Sequence, residues 1–268
     1  MAALEREPVS QIHPAAAAGF SQAADLYERA RPSYPADAVA WLAERLRLGP
    51  GRTVVDVGAG TGKLTRLLPA TGARVIAVEP IEEMRALISG AEALDGTAES
   101  LPLPDGSADA IVVAQAFHWF DHARALPELH RVLAPEGALG LIWNSRDLAD
   151  PLQAELEELL SPLRGRVIDQ ESGAWRAPLA ASPLFGAAEE RSFPFEQSFT
   201  SDDLCDRVAS TSFVAAMAAD SRYELLARVR SLAVGLREPF AFRYRTDVLI
   251  VPRSRDQGRR ARGTSIQG

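Results

Sequence analysis

The strongest chemical signal in the chain is Asp56-Val57-Gly58-Ala59-Gly60-Thr61-Gly62, an acidic side chain followed by glycines at alternate positions. Glycine accepts positive φ and lets backbone approach a ligand that a side chain would hold off, so this spacing describes a cradle. A second carboxylate, Glu79, follows Val75-Ile76-Ala77-Val78 and precedes Pro80. Placed at a strand end, it can accept from both hydroxyls of a ribose. A third cluster, Gln115-Ala116-Phe117-His118-Trp119-Phe120, is unusually aromatic. His118 has a reference pKa near neutral and could take a proton from an acceptor hydroxyl or amine, or orient a carboxylate. It could equally serve as a structural hydrogen-bonding group at a strand exit. Aromatic faces such as Trp119, Tyr27 and Tyr34 can stabilise a cation by roughly 0.5–2 kcal/mol.

The glycine spacing separates several ligand classes. A dinucleotide fingerprint starting at Gly58 needs its third small residue at position 63, where Lys63 stands. A P-loop needs glycine where Val57 lies and a Ser or Thr where Leu64 lies. His118 and His122 are four apart with Asp121 between them, but no third ligand stands at a convincing spacing, so no metal is expected.

These residues must be carried by regular elements. Val39, Leu42, Leu46 and Leu48 fall at helical spacing before Gly49-Pro50-Gly51. Thr53–Val57 reads as a buried strand leading through the glycines into a helix that carries Leu64, Leu67 and Leu68. Strands at 74–78, near 93–97, 110–114 and 138–143 alternate with helices at 82–88 and 122–133, the signature of a doubly wound, mostly parallel α/β sheet with helices on both faces. Later come helical stretches at 152–160, 201–209 and 223–236. Two further strands, 188–199 and 240–251, are expected as an antiparallel pair at the sheet edge.

The expected organisation is a mobile leader at 1–14, a single domain at 15–252 and a disordered basic tail at 253–268, where five arginines face Asp256. Within the domain, 15–37 form an arm or lid, 38–147 the cofactor-binding core, and 148–252 the substrate-covering helices and last two strands. At 47% hydrophobic and 24% charged residues the chain can bury a sizeable core. A net charge of -7 argues against a nucleic-acid partner and favours a small molecule. The single cysteine, Cys205, permits no internal disulfide, and no apolar run is long enough to span a membrane; a cytoplasmic location is the expectation. Oligomeric state has no signal.

The D-x-G-x-G-x-G pattern resembles motif I of class I S-adenosylmethionine-dependent methyltransferases. The Q-A-x-H-W segment and the arm Tyr27-x-x-x-Arg31-Pro32-x-Tyr34-Pro35 resemble a type 11 methyltransferase subfamily, distantly similar to trans-aconitate methyltransferases. The resemblance covers about residues 20–147 and implies a Rossmann-like fold with S-adenosyl-L-methionine as cofactor. It implies cofactor contacts from Tyr27, Arg31, Asp56, Gly58, Ala59, Gly60, Gly62, Glu79, Pro80, Ala98, Glu99 and Gln115, and catalytic roles for His118 and Trp119. Many members carry Asp where Thr97 stands, leaving the Ala98 backbone or Glu99 to meet the adenine. Arg31 either clamps a carboxylate or holds the arm by an ion pair. The implied reaction moves a methyl group to a small organic acceptor, with a carboxylate suggested by the trans-aconitate analogy; an RNA methyltransferase and a non-catalytic cofactor-binding module are the alternatives.

Overall fold

The computed structural model describes residues 28, 30–163 and 173–254. Tyr27, the leader and nearly all of the tail lie outside the described residues. Helix α1 (Ala36–Arg45) buries Ala38, Val39, Trp41 and Leu42. Then come β1 (Thr53–Val57), β2 (Arg74–Val78), α2 (Glu82–Arg85), β3 (Glu92–Leu94) and β4 (Ala108–Ala114). After α3 (His122–Val132), β5 (Leu133–Arg146) is the longest strand. The remaining elements are α4 (Pro151–Leu160), α5 (Arg176–Ala181), β6 (Glu189–Phe199), α6 (Ser201–Ala209), α7 (Ser212–Ala215), α8 (Ala219–Leu232) and β7 (Phe240–Pro252).

The seven strands form one sheet in the order β3-β2-β1-β4-β5-β7-β6. β1 to β5 pair in parallel, and β7 runs antiparallel to both β5 and β6. β1 lies between β2 and β4, so chain order reverses there, and the crevice at the strands' C-terminal ends is where such sheets bind ligands. Alternation along β4 divides the core: Ile111 and Val113 pack with α3 and α5, while Ala110 and Val112 pack with α1. A third cluster joins α4, α6 and α8 to Phe199, Phe242 and Tyr244.

Several sequence expectations change, among them the helix expected at 82–88, which ends at Arg85. The helix after the glycines is a 3-10 helix, Thr65–Thr71, with Pro69 inside it and Gly72 ending it in a left-handed conformation; a seven-residue segment so interrupted cannot build a regular α-helix. The third strand stops at Leu94, and Thr97 instead forms an isolated bridge with Ser100. β5 begins at Leu133, the last residue expected in the preceding helix and ahead of the strand expected at 138–143, because Leu133 pairs with Ala108 across a bulge. At the other end, Arg253 and Ser254 still donate backbone hydrogen bonds to Gly137 and Leu184, so pairing continues into the first residues of the expected tail. Among the described residues, no helix is long and apolar enough to cross a membrane.

Candidate active site

β1 delivers Asp56 to the sheet interior, where it is fully buried. Its Oδ2 accepts from the Thr65 hydroxyl at 2.6 Å, and Oδ1 has no partner. Burial pushes its carboxyl up to about 7, against the Thr65 hydrogen bond and helped by the charge of Glu79. The loop then turns through Gly58 (φ 68°), Gly60 (φ 57°) and Gly62 (φ 81°). A Cβ on Gly58 would stand 2.9 Å from the Ala116 Cβ. Gly58→Ala therefore combines a left-handed backbone with an overlap and is expected to cost roughly 2–4 kcal/mol of stability in denaturant unfolding.

The loop amides are spent inside the protein. Gly58 and Ala59 N–H both donate to the Val78 carbonyl, at 2.9 and 3.2 Å, and Gly62 N–H donates to Ala59 O at 3.0 Å. Gly60 N–H donates to Glu79 Oε2 at 2.8 Å, while Ile81 N–H donates to Oε1 at 3.0 Å. Glu79 is 4% exposed, and burial raises its pKa despite these amides and Arg85. Arg85 also donates to the Glu79 carbonyl, fixing the turn through Pro80 into α2.

The end of β4 carries Gln115 at φ 59°, a left-handed conformation that costs a non-glycine residue roughly 1–3 kcal/mol. Its side chain donates to Asn144 O at 3.2 Å. Asn144, at the end of β5, donates to Ser33 O at 3.0 Å and accepts from the Thr246 hydroxyl at 2.7 Å, tying the arm to the sheet.

Arg31, Pro32, Tyr34, Gly58, Ala59, Gly60, Thr61, Gln115 and Asn144 together line a pocket of about 50 Å³. Lys63 and Arg207 complete its charged wall, which holds no carboxylate. Burial lowers the Lys63 pKa against the pull of Glu28. Arg31 also donates to Ser210 O at 3.1 Å, and Arg207 to the Tyr244 hydroxyl at 3.3 Å. The arm closes on the loop through Glu28, whose carboxylate takes the Thr61 hydroxyl and Arg66 and whose carbonyl takes Lys63.

Of the residues singled out in the sequence, Arg31, Tyr34, Gly58, Ala59, Gly60 and Gln115 converge on this pocket. Asp56, Gly62, Glu79 and Pro80 do not line it; Asp56 accepts from Thr65, and Glu79 accepts the Gly60 amide of the loop. Ala98 is buried, and Glu99 accepts from Asp121 N–H at 2.9 Å before α3. The Thr97 hydroxyl nearby is buried without a partner. His118 and Trp119 sit on the 3-10 turn Phe117–Trp119, with rings 5.0 Å apart and outside the pocket wall. His122 instead bonds Phe117 O at 3.0 Å, and burial lowers its pKa. Among the described residues, no group of His, Cys, Asp and Glu could hold a metal ion.

Sequence reasoning gave no ligand role to Thr61, Lys63, Asn144 or Arg207. Lys63, the only lysine in the chain, follows the motif directly and was the available signal. Asn144, a polar residue ending an apolar strand, was another; Arg207 had none, because only the tertiary fold brings α6 to the loop.

A family model described as a methyltransferase domain matches residues 55–141. An uncharacterized methyltransferase of Mycobacterium tuberculosis is 42% identical over 221 residues, covering 80% of this chain and 84% of the relative. An uncharacterized methyltransferase-like protein of Schizosaccharomyces pombe is 32% identical over 212 residues, covering 77% of this chain and 82% of the relative. In fold, the chain is similar to a solved structure from Anaeromyxobacter dehalogenans, described as a candidate type II methyltransferase, with a TM-score of 0.62, 23% identity, and 83% and 97% of the two chains covered. With motif I intact at the sheet's switch point and relatives of this coverage, the chain belongs to the class I S-adenosylmethionine-dependent methyltransferase family.

Proposed function

We propose that the protein transfers a methyl group from S-adenosyl-L-methionine to a small organic acceptor, a carboxylate foremost, by in-line displacement. The observation that carries this reading is the commitment of the Gly58, Ala59, Gly60 and Gly62 amides to protein acceptors. A dinucleotide pyrophosphate or a nucleoside triphosphate needs such donors free, at the head of an α-helix; here a 3-10 helix follows. S-adenosylmethionine has no phosphate and needs the close approach of the loop rather than its N–H groups.

The residues fit this cofactor. Glu79 uses two amide donors, which leaves lone pairs for ribose hydroxyls. The partnerless Thr97 hydroxyl, with Ala98 and Glu99, forms the adenine end. Arg31 suits the methionyl carboxylate, with Lys63 beside it already paired to Glu28 at 3.6 Å, and Arg207 suits an acidic acceptor. When bound, the cofactor supplies a methyl group already activated on a sulfonium, so the chain's work is alignment and exclusion of water. The pocket is smaller than ligand sites usually are, ~300–1,000 Å³, and the Glu28 contacts that bring the arm onto the loop are the ones whose release would widen it.

Within this reading His118, at the aromatic end of β4, orients the acceptor carboxylate, which is already ionised and has no proton to give up. His118→Asn is expected to misalign the acceptor and lower kcat roughly 10²-fold while leaving S-adenosylhomocysteine affinity unchanged. An equal loss in both would make the residue structural. The reading as a whole is tested by incubating the protein with S-adenosylmethionine and a panel of small carboxylates. Methyl-ester products seen by mass spectrometry support it, and cofactor binding without transfer to any acceptor favours a non-catalytic module.

A further inference from the structure

A second cavity of about 450 Å³ opens beside the end of β5. Its volume lies within the range of small-molecule sites, and strand alternation sets it apart from the cofactor pocket. Trp143 and Ser145 on β5 pair with Asp247 and Arg245 on β7, and all of these line it. Asn144 and Thr246, hydrogen-bonded at 2.7 Å, point to the opposite sheet face. The cavity wall is aromatic: Trp143 stacks on Trp175 at 4.2 Å, and the Arg176 guanidinium lies 4.6 Å from the Trp175 ring.

Most of its unused hydrogen-bonding capacity is that of donors, with Asp147 Oδ2 an open acceptor among them. Asp247 is taken by Ser192 at 2.6 Å and by Arg245 at 2.8 and 3.0 Å. Asp147 accepts from Ala149 N–H at 3.1 Å. Arg245 engages Asp247 through Nε and Nη2, leaving Nη1, and Arg176 engages Glu190 through Nη1 and Nη2, leaving Nε. Trp143 is 3% exposed, and its Nε1–H is buried without a partner. An unsatisfied buried donor costs roughly 1–3 kcal/mol, which an acceptor atom of a ligand would recover. Three guanidiniums against two carboxylates line the space, so an anion is preferred to a cation.

We infer that this cavity is a second small-molecule site, separate from the cofactor pocket, that takes a planar aromatic carboxylate between its indole wall and its arginines. Binding is read without any methyl donor, so the result stands apart from the methyltransferase reading. The test titrates the full-length chain with benzoate, and with benzylamine and benzyl alcohol as controls, following tryptophan fluorescence and heat. Saturable binding of benzoate is expected, weakened about 10-fold by Trp143→Phe, which keeps a ring but deletes the donor. Arg245→Ala, at an exposed side chain and so compatible with folding, is expected to weaken it similarly. Saturating S-adenosylhomocysteine is expected to leave it unchanged. The inference is overturned by no saturable signal up to about 10 mM benzoate, by equal binding of benzylamine, by indifference to both substitutions, or by competition from S-adenosylhomocysteine.

Discussion

Glu79→Gln is expected to weaken S-adenosylhomocysteine binding roughly 10²-fold while the chain stays folded. Each Glu79 oxygen accepts one backbone N–H, from Gly60 at 2.8 Å and from Ile81 at 3.0 Å. Glutamine keeps the shape but offers one acceptor oxygen and turns a donor group toward an amide donor. One of the two bonds is then lost, and hydrogen bonds to a charged group contribute about 1.5–3 kcal/mol each. The side chain also loses the charge proposed to hold the ribose. Isothermal titration gives the affinity, and far-ultraviolet circular dichroism controls for folding. Wild-type affinity in a folded variant would remove Glu79 from the cofactor site.

The second large effect is a pH dependence of stability centred on Asp56. Its folded pKa is pushed from 3.8 to about 7 by burial. Between these values the unfolded chain has released the proton while the folded chain retains it, so rising pH favours unfolding through this window, and above about 7 the full cost is present. A shift of this size corresponds to about 4 kcal/mol. Asp56→Asn removes the titration and keeps an acceptor for Thr65, although its amide nitrogen enters a buried position without a partner. The stability difference between variant and wild type is therefore expected to move in the variant's favour by roughly 2–3 kcal/mol from about pH 5 to about pH 8. Urea unfolding at several pH values measures it, and a difference that does not vary with pH would place the Asp56 carboxylate outside this account.

What the sequence made legible follows from how local each signal is. β1 and β2 were read to the residue because continuous β-branched runs end sharply at Gly58 and at Glu79-Pro80. The switch-point geometry followed from the strand-helix alternation, and the antiparallel edge from two late strands without a parallel unit between them. The segment after Gly62 misled because its leucines keep helical spacing while Pro69 and Gly72 limit it to a 3-10 helix. Arg207 was invisible because it reaches the pocket from a helix well over a hundred residues away in sequence, a placement set by the third core cluster rather than by any motif. Asn144 was visible as a residue but not as the tie between Ser33 and Thr246, since both partners are remote in sequence.

The central claim is that the glycine loop, whose Gly58, Ala59, Gly60 and Gly62 amides are taken by protein acceptors, receives S-adenosylmethionine rather than a dinucleotide. Parallel titrations of the purified chain with S-adenosylhomocysteine and with NAD test it most directly. The account predicts saturable one-site heat for S-adenosylhomocysteine and none for NAD, whereas saturable binding of NAD with no response to S-adenosylhomocysteine would contradict it.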